Sequence, residues 1–261
     1  MKLEFLTQDD PLYVLPFFEE FFLHFDGEFE ITQVNCCRTM GKRARGKLLK
    51  ELMWLYGIPG LVQLVLRLGI SKLLGTLPRE RDASRYHSFQ QLCRAYKVSC
   101  QRIESPNSEA FIAGMKQRGP DVLVSVACPY ILKEPVLSVA GIGSINIHHA
   151  PLPRYKGMMP SFWQMYHGEK KVGLTIHYMV AKVDEGDALH QDQLAIRPGE
   201  SLDSLIRRSK RYGAHCMAKV LREMEAGTAR AVRLDLSQGS YFTVPTREEA
   251  LAFRRRGLRA I

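Results

Sequence analysis

Several absences narrow the reading of this sequence. Its six cysteines (Cys36, Cys37, Cys93, Cys100, Cys128 and Cys216) include no set at the spacing of a metal ribbon, so reduced, mostly buried thiols are expected. There is no Gly-rich phosphate loop of the dinucleotide or Walker form and no nucleophile elbow, which removes those nucleotide-binding and hydrolase classes. The start, MKLEFLTQ, has no long uncharged stretch, and no run reaches the roughly 18 uninterrupted apolar residues of a membrane span. A soluble, cytoplasmic protein is the expectation. Internal repeats and low-complexity linkers are also absent.

What remains is ordinary globular composition with a basic bias. The 261 residues are 46% apolar and 25% charged, enough for one large domain with a full core. Lysine and arginine (37) outnumber the acids (27), giving a net charge of +10. The excess gathers at Lys42 to Arg45, Arg207 to Arg211 and Arg254 to Arg256. Such clusters fit either an anionic partner, such as a nucleotide phosphate, an anionic cofactor, RNA or a membrane surface, or plain solvated helix faces.

The pattern along the chain alternates strands with helices. Lys2 to Leu6 reads as a strand, Asp9-Asp10-Pro11 as a cap, and residues 12 to 24 as an aromatic helix that Pro16 breaks or restarts. Phe29 to Cys36, Val98 to Ile103, Asp121 to Ala127, Gly143 to His148, Gly173 to Met179 and Ala188 to Ile196 read as further strands. DVLVSVA is the continuous apolar run expected of a parallel strand buried on both faces. Between them, Ser108 to Gln117 and Pro160 to His167 read as helices. Leu48 to Gly75 is a helix interrupted at Gly57 to Gly60. Leu61, Leu64, Val65, Leu68 and Leu73 recur along it at helical spacing, a core helix by preference and a membrane-touching amphipathic face otherwise. A long helix from Ser201 to about Gly227 ends residues 1–227; residues 228–261 follow as an appendage of one short hairpin and a basic helix. The fold class is α/β, an open, mostly parallel Rossmann-like sheet flanked by helices.

Ligands of such sheets bind beyond the carboxyl ends of the strands, where GSINIH runs into HAPLPRYKG. Alternation puts Asn146 and His148 on one face and His149 on the other. An amide and an imidazole two positions apart can converge on one atom, the amide donating to a developing oxyanion and the imidazole moving a proton. A carboxylate to orient the imidazole is available from Asp184, Glu185 or Asp187, among which spacing does not choose. His177 and His190 lack neighbours at metal-ligand spacing and read as packed or surface residues, and Cys128 lacks an adjacent base.

These residues resemble the 10-formyltetrahydrofolate-dependent formyltransferases, whose pattern is a strand ending Asn-x-His, a Pro-containing turn closing on Gly, and a later Asp before a Gly turn. Here the matches are Asn146, His148, Pro151, Pro153 and Gly157, then Asp184 and Gly186. The resemblance implies the formyltransferase fold, 10-formyltetrahydrofolate as co-substrate, no metal, and Asn146, His148 and Asp184 as the catalytic trio, with Asp187 second to Asp184 and a cofactor contact. An amine would attack the formyl carbon, Asn146 and protonated His148 would stabilise the oxyanion, and Asp184 would hold the imidazolium. Tyr130, Ile131 and Leu132 correspond to the segment that forms the pterin slot. Lys156, Met158 and Trp163 correspond to the acceptor side, where Trp163 is either a stacking surface or core.

Departures from the family narrow the acceptor. TQDDPLY stands where glycinamide ribonucleotide enzymes carry a Gly-Ser phosphate loop, and residues after Gly227 are too few for the C-terminal barrel of methionyl-tRNA enzymes. A small primary amine, foremost an amino sugar on a sugar nucleotide, is expected; methionyl-tRNA formylation is the alternative, and a silent folate or nucleotide binding module the alternative of another class. Nucleic acid is thus an allowed but less favoured partner, and peripheral membrane contact and a homodimer are allowed.

Overall fold

The computed structural model describes residues 1–38 and 45–261, so Lys42 and Arg43 of the first basic cluster lie outside the described residues. Strands β1 (Lys2–Gln8), β2 (Glu30–Cys37), β3 (Cys100–Ile103), β4 (Val122–Val126), β5 (Gly143–His148), β7 (Lys171–Tyr178) and β8 (Ala188–Ala195) form one sheet in the order β3-β2-β1-β4-β5-β7-β8. The first five run parallel, whereas β7 pairs antiparallel with both β5 and β8. A separate parallel pair joins β6 (Lys156–Gly157) to β9 (Tyr241–Phe242). The helices are α1 (Leu15–Phe25), α2 (Arg45–Leu74), α3 (Phe89–Ala95), α4 (Glu109–Arg118), α5 (Glu134–Leu137), α6 (Pro160–Tyr166), α7 (Leu202–Glu225) and α8 (Arg247–Arg255). The mostly parallel α/β sheet read from the sequence is the one observed.

Alternation along the strands sorts the core into layers. Leu3, Phe5, Ile145 and Ile147 face α1 and α7, where Phe17, Phe18, Phe21 and Phe22 supply an aromatic layer. Leu6 and Leu123 face the other way, onto Phe111 and Met115 of α4 and Val136 of α5. All of β4 is buried, as its unbroken apolar run requires. The expected helix start at residue 12 is late by three positions, because the Asp10 carboxylate accepts from Leu12 and Tyr13 N–H at 2.9 and 3.0 Å and holds a turn. Pro16 then occupies the first helical turn, where its missing N–H costs nothing. The short helices α3 and α5 lie where no helix was expected.

Two expectations need correction. The core reading of α2 holds only for its inner stripe: Leu64 is buried, but Val65, Leu68 and Leu73 are exposed. Its axis bends at Gly57 (φ 66, ψ 177). By length and composition, Leu49–Leu74 is moreover long and apolar enough to cross a membrane, a property that a count of uninterrupted apolar residues misses because Arg67 and Lys72 interrupt the run. The expected hairpin over residues 231–244 does not form. Val232 bridges to Ala188, residues 236–238 make a turn of 3-10 helix, and Tyr241–Phe242 pair with β6 instead.

The basic clusters divide in the same way. Arg207 reaches Asp203, Arg208 reaches Glu200, and Arg211 reaches Glu19, so this run is spent on carboxylates of its own chain. Arg256 lies over the Tyr166 ring, while Arg254 and Arg255 are exposed.

The tail closes the second core. Phe253 of α8 is fully buried and stacks on Phe162 with ring centres 4.8 Å apart, and Trp163 Nε1 donates to the Thr243 carbonyl at 2.9 Å. Phe253→Ala is therefore expected to lower unfolding free energy by about 3–5 kcal/mol, the range for a fully buried aromatic, measured by urea titration. A loss below about 1 kcal/mol would place α8 outside the cooperative unit.

Candidate active site

β5 ends beside the exit of β4, since Val126 pairs with Ile147. Asn146 and His148 share one face as alternation requires, and the antiparallel register sets Asn146 opposite His177 and His148 opposite Thr175. Asn146 Nδ2 lies 3.2 Å from His177 Nε2, and His177 Nδ1 lies 2.8 Å from the Tyr178 carbonyl. Since a carbonyl only accepts, Nδ1 carries the His177 proton and Nε2 accepts from the amide. Burial pushes the His177 imidazole below its ordinary value in spite of Asp184 nearby, which agrees with that neutral form.

His148 is arranged differently. Its Nε2 lies 2.8 Å from the Tyr155 carbonyl and must donate to it, which leaves Nδ1 directed toward Asp184 Oδ2 at 3.6 Å. That distance is too long for a hydrogen bond, so the Asp184 carboxylate faces Nδ1 as a nearby charge rather than as a bonded acceptor. Asp184 Oδ1 is 3.8 Å from His177 Nε2, and Oδ2 accepts the Gly157 N–H at 2.9 Å. The carboxylate thus sits between two imidazoles and is fixed by one backbone amide.

The turns that carry Asp184 and Gly157 explain why glycines flank them. Asp184 is itself left-handed (φ 56), a conformation Asp tolerates better than most residues. A Cβ on Gly186 would lie 1.8 Å from the Tyr178 carbonyl oxygen, so the turn can close only with glycine there. Gly157 (φ 94) would put a Cβ 2.3 Å from the Phe242 carbonyl oxygen, where β6 meets β9.

Of the residues read from sequence, Asn146, His148 and Asp184 come together. Lys156 Nζ pairs with Glu185 Oε1 at 2.7 Å, next to Asp184, and this lysine holds the Glu185 carboxyl below its ordinary value. Met158 is exposed. Trp163 is core, stacked on Phe242 at 4.7 Å. Leu132 is also core, packed with Leu6 and Phe111, whereas Tyr130 is half-buried and Ile131 exposed where the chain leaves β4. The Asp187 side chain is exposed, and only its carbonyl, accepting from Tyr178 N–H, closes the turn. His177 is the residue sequence reasoning missed. Its presence on GLTIHYM is visible, but its place opposite Asn146 follows only from antiparallel pairing, which an alternating β-α pattern does not suggest.

His149 turns to the other face, where its ring meets α7 at Gly213 and both ring nitrogens are buried without a partner among the described residues. Burial, helped by the nearby Lys210 ammonium and His148, holds this imidazole well below its ordinary 6.5. Lys210 is buried too, pushed down to about 8 by desolvation and partly held by Asp10. Because the unfolded chain protonates His149 and the folded chain does not, its stability is full above about pH 6.5 and falls below it by up to roughly 1.4 kcal/mol per pH unit. Urea midpoints at about pH 7.5 and about pH 5.5 should differ more for the native protein than for His149→Leu. Equal differences would show that His149 takes up a proton in the fold.

Comparison with known proteins bears on the family and the fold. A methionyl-tRNA formyltransferase from Anaeromyxobacter dehalogenans is 33% identical over 168 residues, 64% of this chain and 54% of that protein. The chain spans about half the length of the curated relatives it matches. Among solved structures, phosphoribosylglycinamide formyltransferase from Anaplasma phagocytophilum superposes with a TM-score of 0.58 at 15% identity, over 93% of this chain and 97% of that one. An N-formyltransferase from Helicobacter canadensis, solved with folinic acid and dTDP-3-aminofucose, superposes with a TM-score of 0.55 at 15% identity, over 100% and 84%. These two likenesses speak to the fold. The sequence profile described as Formyl transferase matches residues 75–221, a stretch that holds β4, β5, β7 and all of Asn146, His148, His177 and Asp184, and by that match the chain belongs to the formyl transferase family.

Proposed function

We propose that this protein transfers a formyl group from 10-formyltetrahydrofolate to a primary amine, and that the amine is carried by an amino sugar of a sugar nucleotide or by another small molecule. The observation that carries the reading is the convergence of Asn146, His148 and Asp184 beyond the carboxyl end of β5. One N–H of the Asn146 amide is taken by His177, and the second is free to donate to a developing oxyanion. His148, anchored through Nε2, offers Nδ1 as the proton-carrying atom, and Asp184 stabilises the imidazolium through space. The chemistry needs an uncharged amine, which a partly enclosed site favours.

The residues present fit a folate. Ala127 turns left-handed (φ 56) directly after β4, and the half-buried Tyr130 and exposed Ile131 leave apolar surface beside the site for a flat heterocycle. These two would hold it; when bound, the folate supplies the activated formyl group. Six unbridged cysteines support a reducing, cytoplasmic setting.

Methionyl-tRNA is the second reading, favoured by the 33% identity to a methionyl-tRNA enzyme and by the +10 charge. The inward pairing of Arg207, Arg208 and Arg211 weakens it, because that run does not present a phosphate-binding face.

Tetrahydrofolate release from 10-formyltetrahydrofolate, followed with a panel of amino-sugar nucleotides, small amines and methionyl-tRNA, decides among these. Turnover with an amino-sugar nucleotide or small amine is expected; turnover restricted to the tRNA would establish the second reading, and none with any acceptor, without a folate-induced thermal shift, would overturn both. His148→Ala should lower kcat by about 100-fold or more, the range for losing a general acid–base, whereas His149→Ala should keep most of it.

A further inference from the structure

Between Ile58 and Leu73, α2 turns its more polar stripe inward. Gly60, Leu64 and Ser71 are buried, and Arg67 on the same side reaches Asp203 of α7 at 3.0 Å. The opposite stripe, at helical spacing, is Ile58, Val62, Val65, Leu66 and Leu73, whose surfaces are 71, 53, 56, 61 and 71% exposed. A surface helix ordinarily has the reverse arrangement. Five large aliphatic side chains on one uncharged stripe make a continuous apolar ridge, the kind of surface that marks an interaction site.

Cations outnumber acids along the helix that carries the ridge, where Glu51 and, just beyond its end, Glu80 are the acids. Lys47 and Lys50 are exposed on the first half of α2, Lys72 on its last turn, and Arg79 just beyond. At the bend, the Arg254 guanidinium of α8 lies over Gly57, and a groove there runs between Tyr56, Arg254, Leu258 and Arg259. Asp203, the carboxylate that meets the helix from below, is already paired with Arg67 and Arg207.

We infer that this ridge docks into the headgroup layer of an anionic lipid bilayer, with α2 lying in the plane of the surface. Apolar side chains flanked by cations are what such an interface binds, the aliphatic groups entering the acyl boundary while lysine and arginine meet lipid phosphates. A transmembrane path is excluded by attachment: the Gly57 bend, Pro59 and the Arg67–Asp203 pair tie the helix to the body of the protein. Self-association is disfavoured because a two-fold contact would set the same cations against one another. Tyr56 bonds Tyr13 through their hydroxyls at 3.1 Å, and Leu55 packs in the cluster that holds Ala150 and Tyr155. The docked helix therefore abuts the turns at the carboxyl end of the sheet, on which the site is built.

Co-sedimentation of the full chain with phosphatidylcholine vesicles, with and without phosphatidylglycerol, tests this. The protein should pellet with the anionic vesicles and stay soluble with the neutral ones. Val65→Glu/Leu66→Glu should weaken binding by about tenfold or more, and Lys47→Glu/Lys50→Glu/Lys72→Glu by a similar factor that added salt imposes on the native protein as well. If the first variant loses its native circular dichroism, Val62→Ser/Leu66→Ser replaces it. No pelleting with either vesicle, undiminished pelleting of the substituted proteins, or a native dimer that both apolar variants dissociate would overturn the inference.

Discussion

In an antiparallel pair the residues directly opposite each other share a face, and the pairing of β5 with β7 makes that rule the framework of the site. It sets His177 against Asn146, and the turn that follows β7 carries Asp184 back over the same face, within 3.6 to 3.8 Å of two imidazoles. A parallel neighbour would have required a long crossover and taken the carboxylate elsewhere. The reversal at β7 in an otherwise parallel run of strands is thus what lets a short turn bring a histidine and an aspartate to one place.

Solvation separates the three histidines, which are all buried. His177 is neutral, committed at both nitrogens, and serves to aim the Asn146 amide. His149 is neutral because its ring is desolvated, and Lys210 opposes any charge on it. His177 and His148 both have the Asp184 carboxylate near one nitrogen and a carbonyl at the other, but His177 Nε2 is taken up by the Asn146 amide, whereas His148 Nδ1 faces the carboxylate alone among the described residues. Identical side chains at adjacent positions thereby meet opposite surroundings, the packed face of α7 for His149 and the Asp184 carboxylate for His148.

Local signals carried much of this. The strand run DVLVSVA, the Pro-Gly interruption of α2 and the Asn-x-His face were legible because each depends on near neighbours. His177 was not, because its role rests on a partner strand whose direction no local pattern encodes. Residues 231–244 look like a hairpin by alternation, yet Tyr241–Phe242 pair with Lys156–Gly157, far away in sequence. Trp163 and Leu132 look equally suited to a ligand or a core, and only the surrounding layers settle them as core. The apolar spacing of α2 identified a helix correctly and its environment wrongly, since periodicity reports that one face is greasy and not what lies against it.

The β6–β9 pairing has a consequence for how the protein is made. Gly157, whose amide fixes Asp184, is itself clamped by Phe242, and the Tyr155 N–H donates to Ser240 Oγ at 2.9 Å. During synthesis from the N-terminus, the sheet can assemble well before residues 240–242 emerge. A nascent chain that has made its sheet but not yet residues 240–242 lacks the partners that clamp the turn over His148.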